Sequence, residues 1–168
     1  MQTSFTENQL KDKDNKTSET IIRKCVHCGM CNATCPTYGI NGEELEGPRG
    51  RIYLIKDMLE NKKPATKQIA KHIDSCLSCY SCMTTCPSGV NYMHLIDHGR
   101  NYVEETYKRP FFDRLFRNIL SFVLPRPKVF LLMALSSKII KPFSFLFPKF
   151  IKNALSLMPD KIPAKKLK

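Results

Sequence analysis

No stretch of this chain reaches the roughly 18 consecutive apolar residues that a single helix needs to cross a bilayer, although 42% of its 168 residues are hydrophobic. No apolar segment opens it either. Residues 1 to 20 are polar and rich in charge, which argues against the disulfide scaffold of a small secreted protein. Acidic residues are scarce in the last third: residues 108 to 168 hold 14 Lys and Arg against 2 Asp and Glu, whereas residues 1 to 107 hold 13 of each. The net charge of +12 therefore belongs to the C-terminal segment. Also missing are a paired acid and base, an activated nucleophile and a phosphate-cradling loop; Gly47 to Gly50 does not have that spacing. No residue is assigned a catalytic role, and substrate chemistry falls to a partner. Finally, no cysteine precedes Cys25 and none follows Cys86.

What is there is concentrated between those two cysteines. Cys25, Cys28, Cys31, Cys35 and Pro36 read C-x2-C-x2-C-x3-C-P, and Cys76, Cys79, Cys82, Cys86 and Pro87 repeat the pattern, using all eight cysteines. This is the bacterial ferredoxin spacing, in which three thiolates of a run hold one 4Fe-4S cluster and the fourth ligates the other. A tight turn offers three sulfurs to three iron corners. Proline after the fourth cysteine biases that residue away from helix and lets the chain leave, so the fourth thiolate points elsewhere. The motif assigns Cys25, Cys28, Cys31 and Cys86 to a first cluster, and Cys76, Cys79, Cys82 and Cys35 to a second. Structural zinc prefers ligand pairs separated by a longer loop, and buried free thiols do not account for two identical spacings.

The surroundings read as helical. Residues 1 to 16 are expected to be a flexible leader, docking by at most one or two side chains such as Phe5 or Leu10. Thr17 or Ser18 caps a short helix through Ile21, Ile22 and Lys24, and Thr37 to Gly42 reads as a loop. After Gly47-Pro48, the residues Ile52, Ile55 and Leu59, with Leu54 and Met58 beside them, share one helical face that packs beneath the clusters. Arg49 and Arg51 gain nothing from the start of a helix dipole. Each is either a solvated surface group or the partner of an acidic side chain or of a thiolate-bound cluster. Pro64 opens the next helix, whose Ile69 and Ile73 lead to Cys76, and Val90, Met93, Ile96, Arg100 and Val103 mark another. His27 reads as a neighbour of the first cluster rather than a ligand, and His94 with His98 as a polar face rather than a metal pair.

A helical segment between the motifs, where small ferredoxins have short strands, favours a mainly α fold. The expectation is an all-α ferredoxin-like domain over residues 17 to 107 carrying two 4Fe-4S clusters, followed by basic amphipathic helices over 108 to 168. In that tail Phe111, Phe112, Leu115, Phe116, Ile119 and Leu120 recur at helical spacing around Arg114 and Arg117, and apolar runs from Val129 to Leu135 and from Phe143 to Phe147 follow. Such faces dock on a partner subunit or lie in a membrane interface. Nucleic acid is the weakest of the three readings, since no recognised motif accompanies the bases and aromatics.

Cys25-Val-His-Cys-Gly-Met-Cys-Asn-Ala-Thr-Cys35-Pro-Thr-Tyr38, the link Gly47-Pro-Arg-Gly-Arg-Ile-Tyr-Leu-Ile-Lys56 and the stretch from Cys76 to Val90 resemble the iron-sulfur subunit of bacterial glycolate oxidase. The opening Met1-Gln2-Thr3, with Phe5-Thr6-Glu7, is similar to that family's start, and the resemblance spans most of residues 1 to 126. It implies a subunit of a membrane-associated 2-hydroxy-acid dehydrogenase, passing electrons from FAD-containing subunits towards the respiratory chain. Its implied location is cytoplasmic, peripheral on the inner face of the cytoplasmic membrane. Family members continue into a region with two CCG repeats that is not present here. The expectation is therefore an N-terminal portion, either truncated or half of a split pair whose other chain carries the repeats. Two alternatives stay open: the iron-sulfur subunit of another respiratory dehydrogenase (lactate, glycerol 3-phosphate), and a non-redox module in which metal staples a basic interaction tail.

Overall fold

The computed structural model describes residues 1–140 and Asn153. The regular structure among the described residues is helical, without a β-strand, as the mainly α reading expects. The chain divides into two compact units, Met1–Lys108 and Arg109–Lys168. The first contains α1 (Glu7–Leu10), α2 (Lys13–Lys24), α3 (Pro36–Asn41), α4 (Pro48–Asn61), α5 (Lys67–Asp74), α6 (Ser81–Thr84) and α7 (Tyr92–Thr106).

Helix α4 is the spine of this unit. Gly47 precedes it in an extended conformation and Pro48 opens it, the position where a missing amide proton costs least. Its stripe of Ile52, Ile55, Met58 and Leu59 is buried, and with Ile22, Ile73, Leu95, Ile96 and Val103 it builds the core. α7 crosses α4 closely at Gly99, where a Cβ would stand 2.8 Å from Ile55 Cγ1.

Several local expectations are corrected. The stretch read as a flexible leader folds back on the domain. Thr6 and Gln9 form a reciprocal capping box, and Gln9 Nε2 donates to the carbonyls of Leu59 (2.8 Å) and Glu60 (3.0 Å). These are carbonyls that the end of α4 leaves without partners, so a polar side chain does the docking that apolar counting does not register. Met1 and Phe5 pack against the core beside it.

Helix α2 begins at Lys13, not near Thr17, because Asp12 already caps it by accepting from Asn15 N–H; an anionic cap also suits the positive end of the dipole. Residues 36 to 41 are helix rather than loop: Pro36 takes the first position and Gly42, at φ 66°, ends it. Pro64 stands outside α5, which Thr66 caps. On α7 the buried face is Tyr92, Leu95, Ile96, Gly99 and Val103, while Met93 is exposed. Capping by Asn91 at the mouth of that helix puts Tyr92 inward.

The second unit contains α8 (Phe111–Val123) and α9 (Pro127–Ile140). Phe111, Phe112, Leu115, Phe116, Ile119 and Leu120 are exposed on α8. Among the described residues no single helix is long and apolar enough to cross a membrane. Phe111–Val123 and Pro127–Ser136 meet that measure only as a pair, bent by 115°. The run from Phe143 to Phe147 lies outside the described residues.

Candidate metal centre

The two cysteine runs adopt the same turn. In the first, His27 (φ 60°) and Gly29 (φ 84°) are left-handed; in the second, Ser78 (φ 52°) and Tyr80 (φ 56°) take the equivalent places. Left-handed residues at alternate positions curl a chain into the kind of concavity whose amides favour an anionic group. Cys25 ends α2 and Cys35 stands at the start of α3. Thr34 Oγ1 donates to Ser81 O (3.3 Å) and Thr85 Oγ1 to Thr34 Oγ1 (3.1 Å), tying one run to the other.

Between the runs lie two recesses. One is lined by Cys25, Cys28, Cys31 and Cys86 together with Cys82. The other is lined by Cys35, Cys76, Cys79 and Cys82. Pro48, Cys82 and Tyr92 line both and form their common wall. All eight cysteines are free; Cys25 and Cys82 are buried, whereas Cys28 and Cys79 are exposed.

The donor sets fit an iron-sulfur cluster better than a single ion. Four thiolates on one zinc, at about 2.3 Å each, would stand ~3.8 Å apart. Among the described residues, the group that brings three ligating atoms within 4.8 Å of one another is Glu43, Glu46 and His72, and no cysteine trio does so. All-cysteine donor sets at this spacing suit an iron-sulfur core. Burial, followed by the negative charge of Cys25, Cys28 and Cys86, pushes the Cys31 thiol up to about 11. Burial, then Cys31, Cys76 and Cys35, pushes Cys82 up to about 12. With their thiols raised this far, these sulfurs become thiolates only when a cationic centre stands among them. Cys79 goes the other way, its thiol lowered by hydrogen bonds from the Ser81 amide and hydroxyl.

The glutamate–arginine pairs around the recesses close the open question about Arg49 and Arg51. Arg49 Nε donates to Glu44 Oε1 at 2.5 Å on the partly exposed side. Arg51 and Glu46 pair at 3.0 Å with side chains 1% and 2% exposed. Burial alone would raise the Glu46 carboxyl, but hydrogen bonds from Ser75 and His72 and the charges of His72 and Arg51 hold it below the ordinary carboxylate value. Arg51 and Ser75 already occupy Glu46 Oε2, which makes the Glu43, Glu46 and His72 group an ionic network rather than an ion site.

His27 stacks on Tyr53 with ring centroids 6.4 Å apart. His98 Nδ1 lies 2.7 Å from Ser18 Oγ, and the His94 ring is tilted 6.1 Å from it. Sequence reasoning did not find Glu46, His72, Ser75, Thr37 or Tyr92. Only the Glu44–Arg49 and Glu46–Arg51 offsets, equal at five, hint at the paired arrangement. The loop of the second run is further held by Arg100, which donates to Ser78 Oγ and Cys76 O, each at 2.7 Å.

Comparison with known proteins agrees with this geometry. The 4Fe-4S dicluster domain family matches residues 21–90, so the chain carries a 4Fe-4S dicluster domain and binds 4Fe-4S cluster. More particularly, it is similar to the glycolate oxidase iron-sulfur subunit of Escherichia coli, with 48% identity over 143 residues, 85% of this chain and 35% of that protein. It is 32% identical over 117 residues to the probable glycolate oxidase iron-sulfur subunit of Bacillus subtilis, 67% of this chain and 26% of that one. The mitochondrial succinate dehydrogenase iron-sulfur subunit of Candida glabrata is 28% identical over 88 residues, 49% of this chain and 35% of its own. The chain thus spans about a third or less of the length of these relatives. No solved structure matches it significantly.

Proposed function

We propose that this chain is the electron-transfer iron-sulfur subunit of a glycolate oxidase or glycolate dehydrogenase type of complex, working between FAD-containing subunits and the respiratory chain. The observation that carries the reading is the pair of recesses, each combining three thiols of one run with the pre-proline thiol of the other. On it, Cys25, Cys28, Cys31 and Cys86 hold one 4Fe-4S cluster, and Cys76, Cys79, Cys82 and Cys35 hold a second. When bound, such clusters supply one-electron carriage, which divides the two-electron oxidation of a reduced flavin into single steps. The chain's own residues do the holding. Buried Cys25 and Cys82 anchor the sulfurs from within, Pro48 and Tyr92 keep water from the shared wall, and exposed Cys28 and Cys79 bring each recess to the surface where a partner can approach.

No residue of the chain acts on substrate; oxidation of the hydroxy acid belongs to the flavin subunits. The exposed apolar face of α8, in a segment with 14 basic and 2 acidic residues, supports a peripheral place on the inner face of the cytoplasmic membrane. A second reading, the iron-sulfur subunit of a different respiratory dehydrogenase, is favoured by the similarity to the succinate dehydrogenase subunit.

Iron and acid-labile sulfide analysis of anaerobically purified protein, with electron paramagnetic resonance before and after dithionite, tests the proposal. Eight irons per chain and two reducible signals are expected. Zinc without a redox signal would overturn it in favour of a metal-stapled binding module. Cys35→Ser should disturb the same signal as Cys76→Ser, and Cys86→Ser the same signal as Cys31→Ser; the opposite grouping would reject the crossed ligand sets. Co-purification with a flavoprotein that oxidises glycolate, rather than lactate, glycerol 3-phosphate or succinate, separates the two readings.

A further inference from the structure

The two recesses are alike in cysteines and unlike in what surrounds them. Behind Cys35 stands Arg51, buried and anchored at four points: its Nε donates to His72 O (2.7 Å), and its Nη2 to Thr37 Oγ1 (3.0 Å), Glu46 Oε2 (3.0 Å) and Ser75 Oγ (2.9 Å). Those anchors leave Nη1 facing Cys35 Sγ at 3.9 Å. Thr37 Oγ1 lies 3.2 Å from the same sulfur. As a metal-bound thiolate Cys35 only accepts; the Thr37 hydroxyl is donated to Glu46 O at 2.7 Å, so the donor turned to this sulfur is the Arg51 guanidinium. The Glu46 carboxylate is shared among Arg51, Ser75 and His72, so the charge presented to Cys35 at close range is the guanidinium.

Tyr92, 3% exposed, donates its phenol to Cys76 Sγ at 3.7 Å. The first recess has a different neighbour. Arg49, about a third exposed, is turned to Glu44, where solvent screens it, and Cys86 receives the Val90 amide at 3.5 Å. Reduction adds negative charge to a cluster and its thiolates, and hydrogen bonds and positive charge at sulfur favour that state, most of all where burial lowers the dielectric.

We propose that Arg51 and Tyr92 are positioning residues that make the cluster of Cys35, Cys76, Cys79 and Cys82 the easier of the two to reduce, so that an electron received by this chain resides there. The proposal rests on the two-cluster, crossed-ligand reading above. It goes beyond that reading by ranking the pair: at equilibrium the electron is held on the Cys79 side rather than the Cys28 side.

The test is a redox titration of the full chain followed by electron paramagnetic resonance, with iron counted in each sample. The wild type is expected to show two midpoint potentials at eight irons per chain. Tyr92→Phe keeps the buried ring and should keep both clusters while lowering the higher potential alone. Arg51 lines only the second recess, so Arg51→Lys should lower that same potential; Thr37→Val, which removes one of the acceptors that fix the guanidinium, serves in its place if the lysine variant loses iron. Unchanged potentials in Tyr92→Phe at full iron content, or a shift of the lower potential in the Arg51 or Thr37 variant, would overturn the assignment while leaving the two-cluster reading intact. Fewer than eight irons in the wild type would overturn that reading, and this inference with it.

Discussion

At the scale of single residues, the pair Arg51 and Glu46 decides more than any other outside the cysteines. Removing one partner of a buried pair leaves an uncompensated charge and costs about 3–5 kcal/mol. Glu46→Gln should therefore lower stability at pH 7 by that order, read from urea unfolding. The pH dependence has a definite sign. The carboxyl is held below its ordinary value of 4.5 by Ser75, His72 and Arg51 against burial, so its contribution is fully present above that value and is lost as pH falls through the lowered one. Wild-type stability should fall on acidification below about pH 4.5, with a shallower fall in Glu46→Gln; parallel curves would refute the role. Gly29 makes a second case. At φ 84°, with a Cβ destined for 2.5 Å from Arg49 Nη1, it admits no side chain without strain of about 1–2 kcal/mol. Gly29→Ala should show its loss as reduced iron retention on the Cys25 to Cys31 side.

The two matching turns of four cysteines were legible because spacing alone defines which sulfurs share a turn. The sequence left Arg49 and Arg51 ambiguous for an equally physical reason. Two residues apart on a helix they stand ~200° apart around its axis, so burying one exposes the other, and composition does not say which. The choice depends on Glu44 and Glu46, which a short helical turn before Gly47 presents on different sides.

At the scale of elements, α4 was readable from its apolar stripe, whereas α1 and α3 were not. α1 docks through the amide of Gln9, and α3 is a single short helix begun by a proline that also signals a chain leaving its turn. Neither produces an apolar period. The close approach at Gly50 was equally hidden: a Cβ there would lie 2.2 Å from the backbone oxygen of Glu44. Alanine gains about 1 kcal/mol over glycine in helix propensity, but a backbone oxygen in a tight turn does not yield as a side-chain tip would. Gly50→Ala is expected to be destabilising by about 1–3 kcal/mol in chemical denaturation. A neutral or stabilising result would mean that the turn carrying Glu44 and Glu46 moves freely relative to α4.

At the scale of the whole molecule, charge is divided as sharply as structure. The cluster-bearing region is balanced and the segment after residue 107 carries the whole excess of positive charge. On α8, Arg114 and Arg117 accompany exposed Phe112 and Phe116, a combination suited to an anionic lipid interface, where each basic residue contributes about 1 kcal/mol and salt weakens it. Burying one large apolar side chain adds about 1.5–3 kcal/mol, or roughly ten- to a hundredfold in affinity. The full chain should thus sediment with phosphatidylglycerol-containing vesicles and much less with neutral ones. Phe112→Ser should weaken that binding by about tenfold or more, and raising salt should weaken wild type and variant alike. Should binding be indifferent to lipid charge and to Phe112, the face belongs against a protein partner, and addition of the flavin subunits ought then to protect it from proteolysis.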